Sequence, residues 1–172
     1  MTARLSDNPA AAGAGSTRQV LTFSLGSESY GVDILRVQEI RGWTPVTRIP
    51  QAPGHVLGVL NLRGSIVPII DLRKRLNLAK AEFTPLTVII VLSVNTAAGA
   101  REFGVVVDAV SDVVGIGEAN LKEAPRVGSG DAAEIVSGLA VVAERLLILL
   151  NVDELVRRDL EQVPPSELAS VA

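Results

Sequence analysis

Histidine and cysteine, which often act as catalytic groups or metal ligands, are almost absent from this chain. His55 is the only histidine, and it stands in the segment Ala-Pro-Gly-His-Val-Leu-Gly beside no obvious acid or nucleophile. The chain has no cysteine, which excludes thiolate nucleophiles, disulfides and cysteine-ligated zinc. We therefore expect a surface or structural role for His55, and the sequence predicts no catalytic residue, no metal site and no cofactor.

The acidic residues and glycines also match no catalytic or nucleotide-binding pattern. Asp33 and Asp108 each follow a similar strand-like segment, and we expect turn or cap roles for them rather than paired acid–base chemistry. Gly115 and Gly117 lack the third glycine of a dinucleotide fingerprint. The segment 127–132, VGSGDA, is typical of a loop rather than of a phosphate cradle.

Arg63 is a single cation inside the apolar stretch GVLNLRGSIVPIIDL, residues 58–72. Gly64 can adopt the positive φ that a tight hairpin needs, so we expect two strands joined at Arg63-Gly64. Arg63 would then project from the rim of the sheet. A solvated turn arginine without a partner remains an alternative on this segment alone.

Glu39 is the residue that gives Arg63 a possible partner. Strand alternation puts Val37 and Glu39 on the same face of the segment VQEIRG. If this strand runs near the strand before Arg63, the two charges can pair beside an apolar patch, which would suit a binding hot spot. Trp43, the only tryptophan, follows closely, and core packing and partner contact both remain open for it.

Many short segments rich in Val, Ile and Leu position these residues. They are bounded by Gly, Pro, Asn, Asp or Ser, which predicts an all-β barrel or sandwich. One helix is predicted in VDELVRRDLEQV, with Asn151 as its cap and Glu154 three residues later. The predicted strands are QVLTFSL, SYGVDI, VQEIRG, VTRI, GVLNL, SIVPIID, TVIIVLS, EFGVVVD, VSDVVGI, SGLAVV and RLLILLN.

Composition narrows the classes of protein further. Apolar residues make up 48% of the 172-residue chain, which is enough for a core, and the net charge of −3 with no basic block weighs against nucleic-acid binding. The longest apolar runs are far shorter than the roughly 20 residues of a membrane span. The N-terminus lacks a signal-peptide pattern. We expect a cytoplasmic protein with flexible tails at residues 1–18 and 161–172.

An internal repeat organises the region between the tails. Tyr30-Gly-Val recurs as Phe103-Gly-Val, and the segments that follow match as VQEI with VSDV. Aligning Gly58 with Gly138 places SIVPIID over RLLILLN, and both copies then end in a helix-capping residue. The repeat predicts halves of roughly 65–80 residues with about five strands each, at approximately 19–80 and 86–152, with or without exchange of strands.

The quoted motifs resemble the CheW family of chemotaxis coupling proteins. The resemblance rests on YGVDILRVQEIRG, NLRGSIVPIIDLR, VVDAVSDVV and LLILLNVDEL, and the CheW-like region would span residues 19–160. It implies an all-β fold of two five-stranded SH3-like barrels side by side, with short helices and a C-terminal helix.

The resemblance also implies a function without catalysis. CheW-like proteins are adaptors that join the cytoplasmic tips of chemoreceptors to the histidine kinase CheA, and they also meet other CheW copies in membrane-associated arrays. The receptor tip docks between the barrels, and the matching positions are Val37, Glu39, Arg63, Ile66 and Val88. A kinase contact would involve Arg126 and Val127, where some relatives carry an aromatic in place of Val127.

Two other classes of function stay open from the sequence. The same adaptor fold could serve another chemosensory system, such as one that controls pili. An enzyme or small-ligand binder on paired barrels is the second class, although no convergent histidines, cysteines or paired acids support it.

Overall fold

The structure is a computed structural model that describes residues 18–76, 78, 83–96, 99–123 and 135–155. These parts of the chain form strands joined by short turns, as the β-branched segments predict. The strands are β1 Arg18–Leu25, β2 Glu28–Asp33, β3 Val37–Gly42, β4 Val56–Leu62, β5 Ser65–Asp71, β6 Val88–Thr96, β7 Gly99–Val107, β8 Ala109–Ile116, β9 Leu121–Lys122, β10 Val136–Val142 and β11 Arg145–Leu150.

Helical structure is short in the described residues. Single 3-10 turns cover Ile34–Arg36 and Glu118–Asn120, and helix α1 covers Leu72–Arg75. Residues 152–155 begin a helix whose N-cap is Asn151, because the N–H of Glu154 donates to Asn151 Oδ1 at 3.2 Å. The predicted cap is therefore confirmed, and the rest of that predicted helix lies outside the described residues.

The strands form two sheets, and each sheet takes strands from both halves of the sequence. One sheet has the order β8-β1-β2-β11-β10-β9, and the other has the order β3-β6-β7-β5-β4. Strands β1 and β2 of the first half thus join β8 to β11 of the second half, and β6 and β7 of the second half join β3 to β5 of the first half. The halves meet through the parallel pairs β2 with β11 and β5 with β7, and through the antiparallel pairs β1 with β8 and β3 with β6. We call these the six-stranded and the five-stranded sheet.

Apart from a small cluster around Val59, three apolar clusters form the core of the described residues. One cluster contains only residues of the five-stranded sheet and its flanking segments, a second contains only residues of the six-stranded sheet, and the third combines both sheets. Strand β6 shows how this arises, because Ile89 faces the cluster of its own sheet and Ile90 faces the shared cluster. Because both faces of β6 are buried, successive apolar side chains point alternately into the two clusters, and the strand is a continuous apolar run in the sequence.

The repeat is visible in the backbone of the two matching hairpins. Both β4–β5 and β10–β11 have a β-bulge, which falls between Val56 and Gly58 in the first and between Val136 and Gly138 in the second. Both hairpins close with two residues of positive φ. The aligned glycines of the repeat therefore mark the same irregularity in each copy.

Several expectations need correction. The segment VTRI is not a strand, since Pro45 and Pro50 flank it and only Thr47 forms a bridge, to Val59. The predicted all-β class is confirmed, although one of the two sheets has six strands, because the two-residue strand β9 pairs with β10.

Other predictions about the ends and the division of the chain were not tested. Residues 1–17 and 161–172, where tails were predicted, lie outside the described residues. The division into units at 19–80 and 86–152 stays a prediction. Among the described residues, no helix is long and apolar enough to cross a bilayer.

Candidate functional site

Arg63 lies on the tight turn between β4 and β5, as predicted. Its φ is 54° and that of Gly64 is 88°, and the N–H of Gly64 donates to Asn61 Oδ1 at 2.9 Å. A non-glycine residue at positive φ is unusual and is held here by the hairpin. The turn therefore lifts the Arg63 side chain, which is 61% exposed, off the end of the sheet.

Glu39 on β3 pairs with Arg63, so the predicted proximity of the two residues is confirmed. Arg63 Nη1 donates to Glu39 Oε1 at 2.5 Å, and Arg41 Nη1 donates to the other carboxylate oxygen, Oε2, at 3.0 Å. The Glu39 side chain is 25% exposed and that of Arg41 is 38% exposed. One carboxylate thus lies between two guanidinium groups that are only partly shielded from solvent.

The ion pair shifts the protonation equilibria of both partners. The hydrogen bond from Arg63 is the main reason that the pKa of Glu39 lies below its ordinary value, and the charge of Arg41 acts in the same direction. The hydrogen bond to Glu39 likewise raises the pKa of Arg63. Glu39 is therefore ionised throughout the neutral range, and the arrangement persists there.

The apolar residues of the predicted site lie at two places. Val37 and Val88 are half-buried and pack against the cluster that both sheets share. Ile66, three residues after Arg63, packs instead with Ile49 around Val59. The site thus combines a charged pair with apolar side chains at the junction of the sheets and near the β4–β5 turn.

The remaining predicted positions have mixed outcomes. Arg126 and Val127 lie outside the described residues. Trp43 is half-buried, packs on the cluster of the five-stranded sheet, and stacks on Phe83 with 4.2 Å between ring centroids. Asp33 has the cap role expected of it, since its Oδ1 accepts from the N–H of Leu35.

Asp108 has a structural role that joins the two sheets. Its Oδ2 accepts from the N–H of Gly26 at 2.7 Å, in the turn between β1 and β2, and its Oδ1 accepts from Arg73 at 3.2 Å. The second sheet-joining partner, Arg73, was not anticipated. Its position two residues after the cap Asp71 gives no sign in the sequence that its side chain is buried.

Arg41 is the second residue that sequence reasoning missed. It stands two residues after Glu39 on β3, so the same alternation that puts Val37 and Glu39 on one face could have included it.

The arrangement is suited to binding rather than to bond-making chemistry. Among the residues that the structure describes, no group of three or more His, Cys, Asp or Glu could hold a metal ion. A guanidinium that is oriented by a carboxylate and remains exposed to solvent can donate hydrogen bonds to another protein.

Comparisons with known proteins show which family the chain resembles. The family described as the CheW-like domain matches residues 19–160. The chain is 45% identical over 138 residues to the chemotaxis protein CheW of Klebsiella aerogenes, which covers 80% of this chain and 81% of that protein. It is 38% identical over 136 residues to the chemotaxis protein CheW of Rhizobium meliloti, covering 79% and 85% respectively.

A solved structure has the same architecture. The crystal structure of the scaffolding protein TtCheW from Thermoanaerobacter tengcongensis superposes with a TM-score of 0.72 at 33% sequence identity. The match covers 79% of this chain and 90% of that chain.

Proposed function

This chain belongs to the CheW family of non-enzymatic chemotaxis scaffold proteins, and we propose that it couples chemoreceptors to the histidine kinase CheA. The receptors would be methyl-accepting chemotaxis proteins, whose cytoplasmic tip would bind in the groove between the two barrels. The proposed location is the cytoplasm, at membrane-associated receptor arrays that also contain other CheW copies.

The ion pair between Glu39 and Arg63 is the observation that carries the proposed receptor site. It orients a largely exposed guanidinium on a rigid turn. An oriented arginine loses less conformational freedom on binding than a mobile one, and arginine is enriched among binding hot spots. Val37 and Val88, at the shared cluster, supply the apolar surface that a receptor helix would need.

A separate surface would bind the kinase. The regulatory domain of CheA would associate with this chain barrel to barrel, and a second kinase contact would involve Arg126 and Val127; both rest on the family resemblance alone. The valine offers a smaller apolar side chain than an aromatic residue would, so this contact should bury less surface.

Charge reversal at the turn tests the proposed receptor site. Arg63→Glu should weaken binding of a receptor tip by about 30-fold or more, as expected for a hot spot worth roughly 2 kcal/mol or more. Val88→Glu should have a comparable effect, because it places a charge on the apolar surface. Isothermal titration calorimetry with a purified helical-hairpin tip measures both effects, and circular dichroism checks that each variant is folded.

Arg145→Glu is a matched control. Arg145 is exposed and follows the equivalent turn of the β10–β11 hairpin, so the variant changes the net charge equally at the other hairpin. It should bind the tip like the unmodified chain. Unchanged binding by both Arg63→Glu and Val88→Glu would reject the proposed groove.

A further inference from the structure

Arg41 makes an unusual contact at the proposed receptor site. Its Nη1 holds Glu39 Oε2 at 3.0 Å while Arg63 holds Glu39 Oε1 at 2.5 Å, so each carboxylate oxygen has its own guanidinium. A carboxylate that is bound on one oxygen alone can rotate about its χ angles, whereas one that is bound on both oxygens has a fixed orientation. Arg41 therefore restricts Glu39, and Glu39 in turn restricts Arg63.

The environment of Arg41 supports a role beyond that of an ordinary exposed ion pair. Its Nε is buried and donates no hydrogen bond among the described residues, so the side chain is held in place at the cost of an unsatisfied donor. A surface pair contributes roughly 0–1 kcal/mol to stability, which offsets such a cost poorly. A function for the fixed geometry gives a reason for keeping the arginine.

The charge balance of this cluster indicates what it binds. Arg41 and Arg63 carry two positive charges around the single negative charge of Glu39, so the cluster is positive overall. The charge of Glu102 on β7 also acts on Arg63 and offsets part of this positive charge, although the described residues show no ion pair between the two side chains. Within the described part of the chain, Arg63 uses a single N–H group, on Nη1, for the Glu39 bond, and 61% of its side chain is exposed. Its remaining donors form a planar fork that fits a carboxylate.

We propose that Arg41 is a positioning residue: it fixes Glu39, and through Glu39 it holds Arg63 so that the free N–H groups of Arg63 meet a carboxylate of the bound partner. This inference rests on the proposed function, because the partner is the receptor tip. It adds that the site selects a negatively charged group of the partner and that an acidic side chain of the tip binds Arg63.

The positioning role can be tested without any partner. Titration of the free protein, followed by the carbon-13 signal of the Glu39 carboxyl group, should show a pKa below the ordinary value. Arg41→Met should raise the pKa of Glu39. Arg63→Met alone should raise it by more than Arg41→Met does, because the Arg63 hydrogen bond is the larger cause of the depression. Arg41→Lys should restore part of the shift by charge alone.

The consequence for binding follows from the sign of that shift. A carboxyl group with a depressed pKa keeps its ion pairs above that pKa and loses them as pH falls through it. Tip binding by Arg41→Met should therefore weaken at a higher pH than binding by the unmodified chain. At neutral pH we expect about a tenfold loss of affinity for Arg41→Met, partial recovery for Arg41→Lys, and an unchanged melting temperature. Arg145→Met is the matched control and should bind normally.

A double-mutant cycle identifies the carboxylate. Each acidic residue of the tip is changed to its amide, and one such change should weaken binding to the unmodified chain but have no further effect on Arg63→Met. An unchanged Glu39 titration in Arg41→Met would overturn the positioning role, and absence of coupling for every tip carboxylate would overturn the recognition. If the unmodified chain does not bind the tip, the proposed function fails, and the Glu39 titration still decides the role of Arg41.

Discussion

The guanidinium of Arg73 is almost completely removed from solvent, with 3% of its side chain exposed. Its Nε and Nη2 donate to the two carboxylate oxygens of Asp71, its Nη1 donates to Asp108, and its charge lies 5.0 Å from the centre of the Phe83 ring. The hydrogen bond to Asp71 is the main reason that the pKa of Arg73 is raised. A buried charge of this kind is tolerable only because a bidentate partner compensates for lost hydration.

The second copy of the repeat has an ion pair at the equivalent place with its charges exchanged. Asp153 stands two residues after the cap Asn151, as Arg73 stands two residues after Asp71. Asp153 pairs with Arg36 at 2.8 Å, just before β3, whereas Arg73 pairs with Asp108, just before β8. The Arg36–Asp153 pair is far more exposed, so the two pairs should differ in energy.

Removing each arginine tests that difference. Arg73→Met should lower the free energy of unfolding by roughly 3–5 kcal/mol, because it leaves the buried Asp71 carboxylate without its counter-ion. Arg36→Met should cost about 0–1 kcal/mol, as for an exposed pair. Urea unfolding at neutral pH measures both values, and losses of equal size would contradict the burial argument.

At the scale of the strands, the glycines of the repeated Tyr-Gly-Val and Phe-Gly-Val motifs share one packing role. A Cβ at Gly104 would lie 2.8 Å from Ile69 Cδ1 and 2.8 Å from Ile89 Cγ2, both of which belong to fully buried side chains. A Cβ at Gly31 would meet Leu149 Cδ2 at 3.3 Å, which is only slightly too close. Because each glycine lacks a Cβ, side chains of the neighbouring strands have room to pack in the apolar cluster of the same sheet.

The two glycines should therefore respond differently to the same substitution. Gly104→Ala should destabilise the fold by roughly 1–3 kcal/mol, as expected for overpacking of a closed core. Gly31→Ala should change stability by less than about 1 kcal/mol, since small shifts relieve its contacts and alanine also reduces the entropy of the unfolded chain. Thermal unfolding of both variants measures this order, and a larger loss at Gly31 would show that the clash at Gly104 relaxes.

Features of this local scale could be predicted well from the sequence. The Arg63-Gly64 turn and the caps Asp71 and Asn151 follow from turn chemistry and capping over a few residues. The pairing of Glu39 with Arg63 could be predicted only on the condition that their strands lie close together, because the two residues are 24 positions apart. The burial of Arg73 could not be predicted in the same way, because it depends on Asp108, which is distant in the chain. The second bond to Glu39, from Arg41, was within reach of alternation but was missed.

At the scale of the whole molecule, the main feature of the topology is the exchange of strands between the two halves. Strand β1 pairs with β8 and β2 pairs with β11, while β3 pairs with β6 and β5 pairs with β7. The alternation of apolar residues could not predict this exchange. Because the copies of the repeat have the same pattern, pairing within a half and pairing across halves bury the same faces, and only long-range packing distinguishes them.

Separated halves should therefore fold only together. Fragments 1–80 and 81–172 should each lack cooperative unfolding as monomers, because each contains strands whose sheet neighbours are in the other fragment. Mixing them should restore the circular dichroism spectrum and a single unfolding transition. Placing Gly104→Ala in the second fragment should weaken the association, which ties the recovery to native packing. A monomeric fragment 1–80 that unfolds cooperatively would contradict the prediction.

The paired hairpin turns carry a consequence for how such a chain could arise. A single copy of the repeat could build both sheets by lending its first two strands to a second, identical copy, and duplication with fusion would then join this symmetric dimer into one chain. In that ancestor the two turns would have been the same. Arg63-Gly64 at one end and Ala143-Glu144 at the other are now different surfaces on equivalent backbone turns. Loss of symmetry would thus have given one small fold two unlike ends, each free to acquire its own partner.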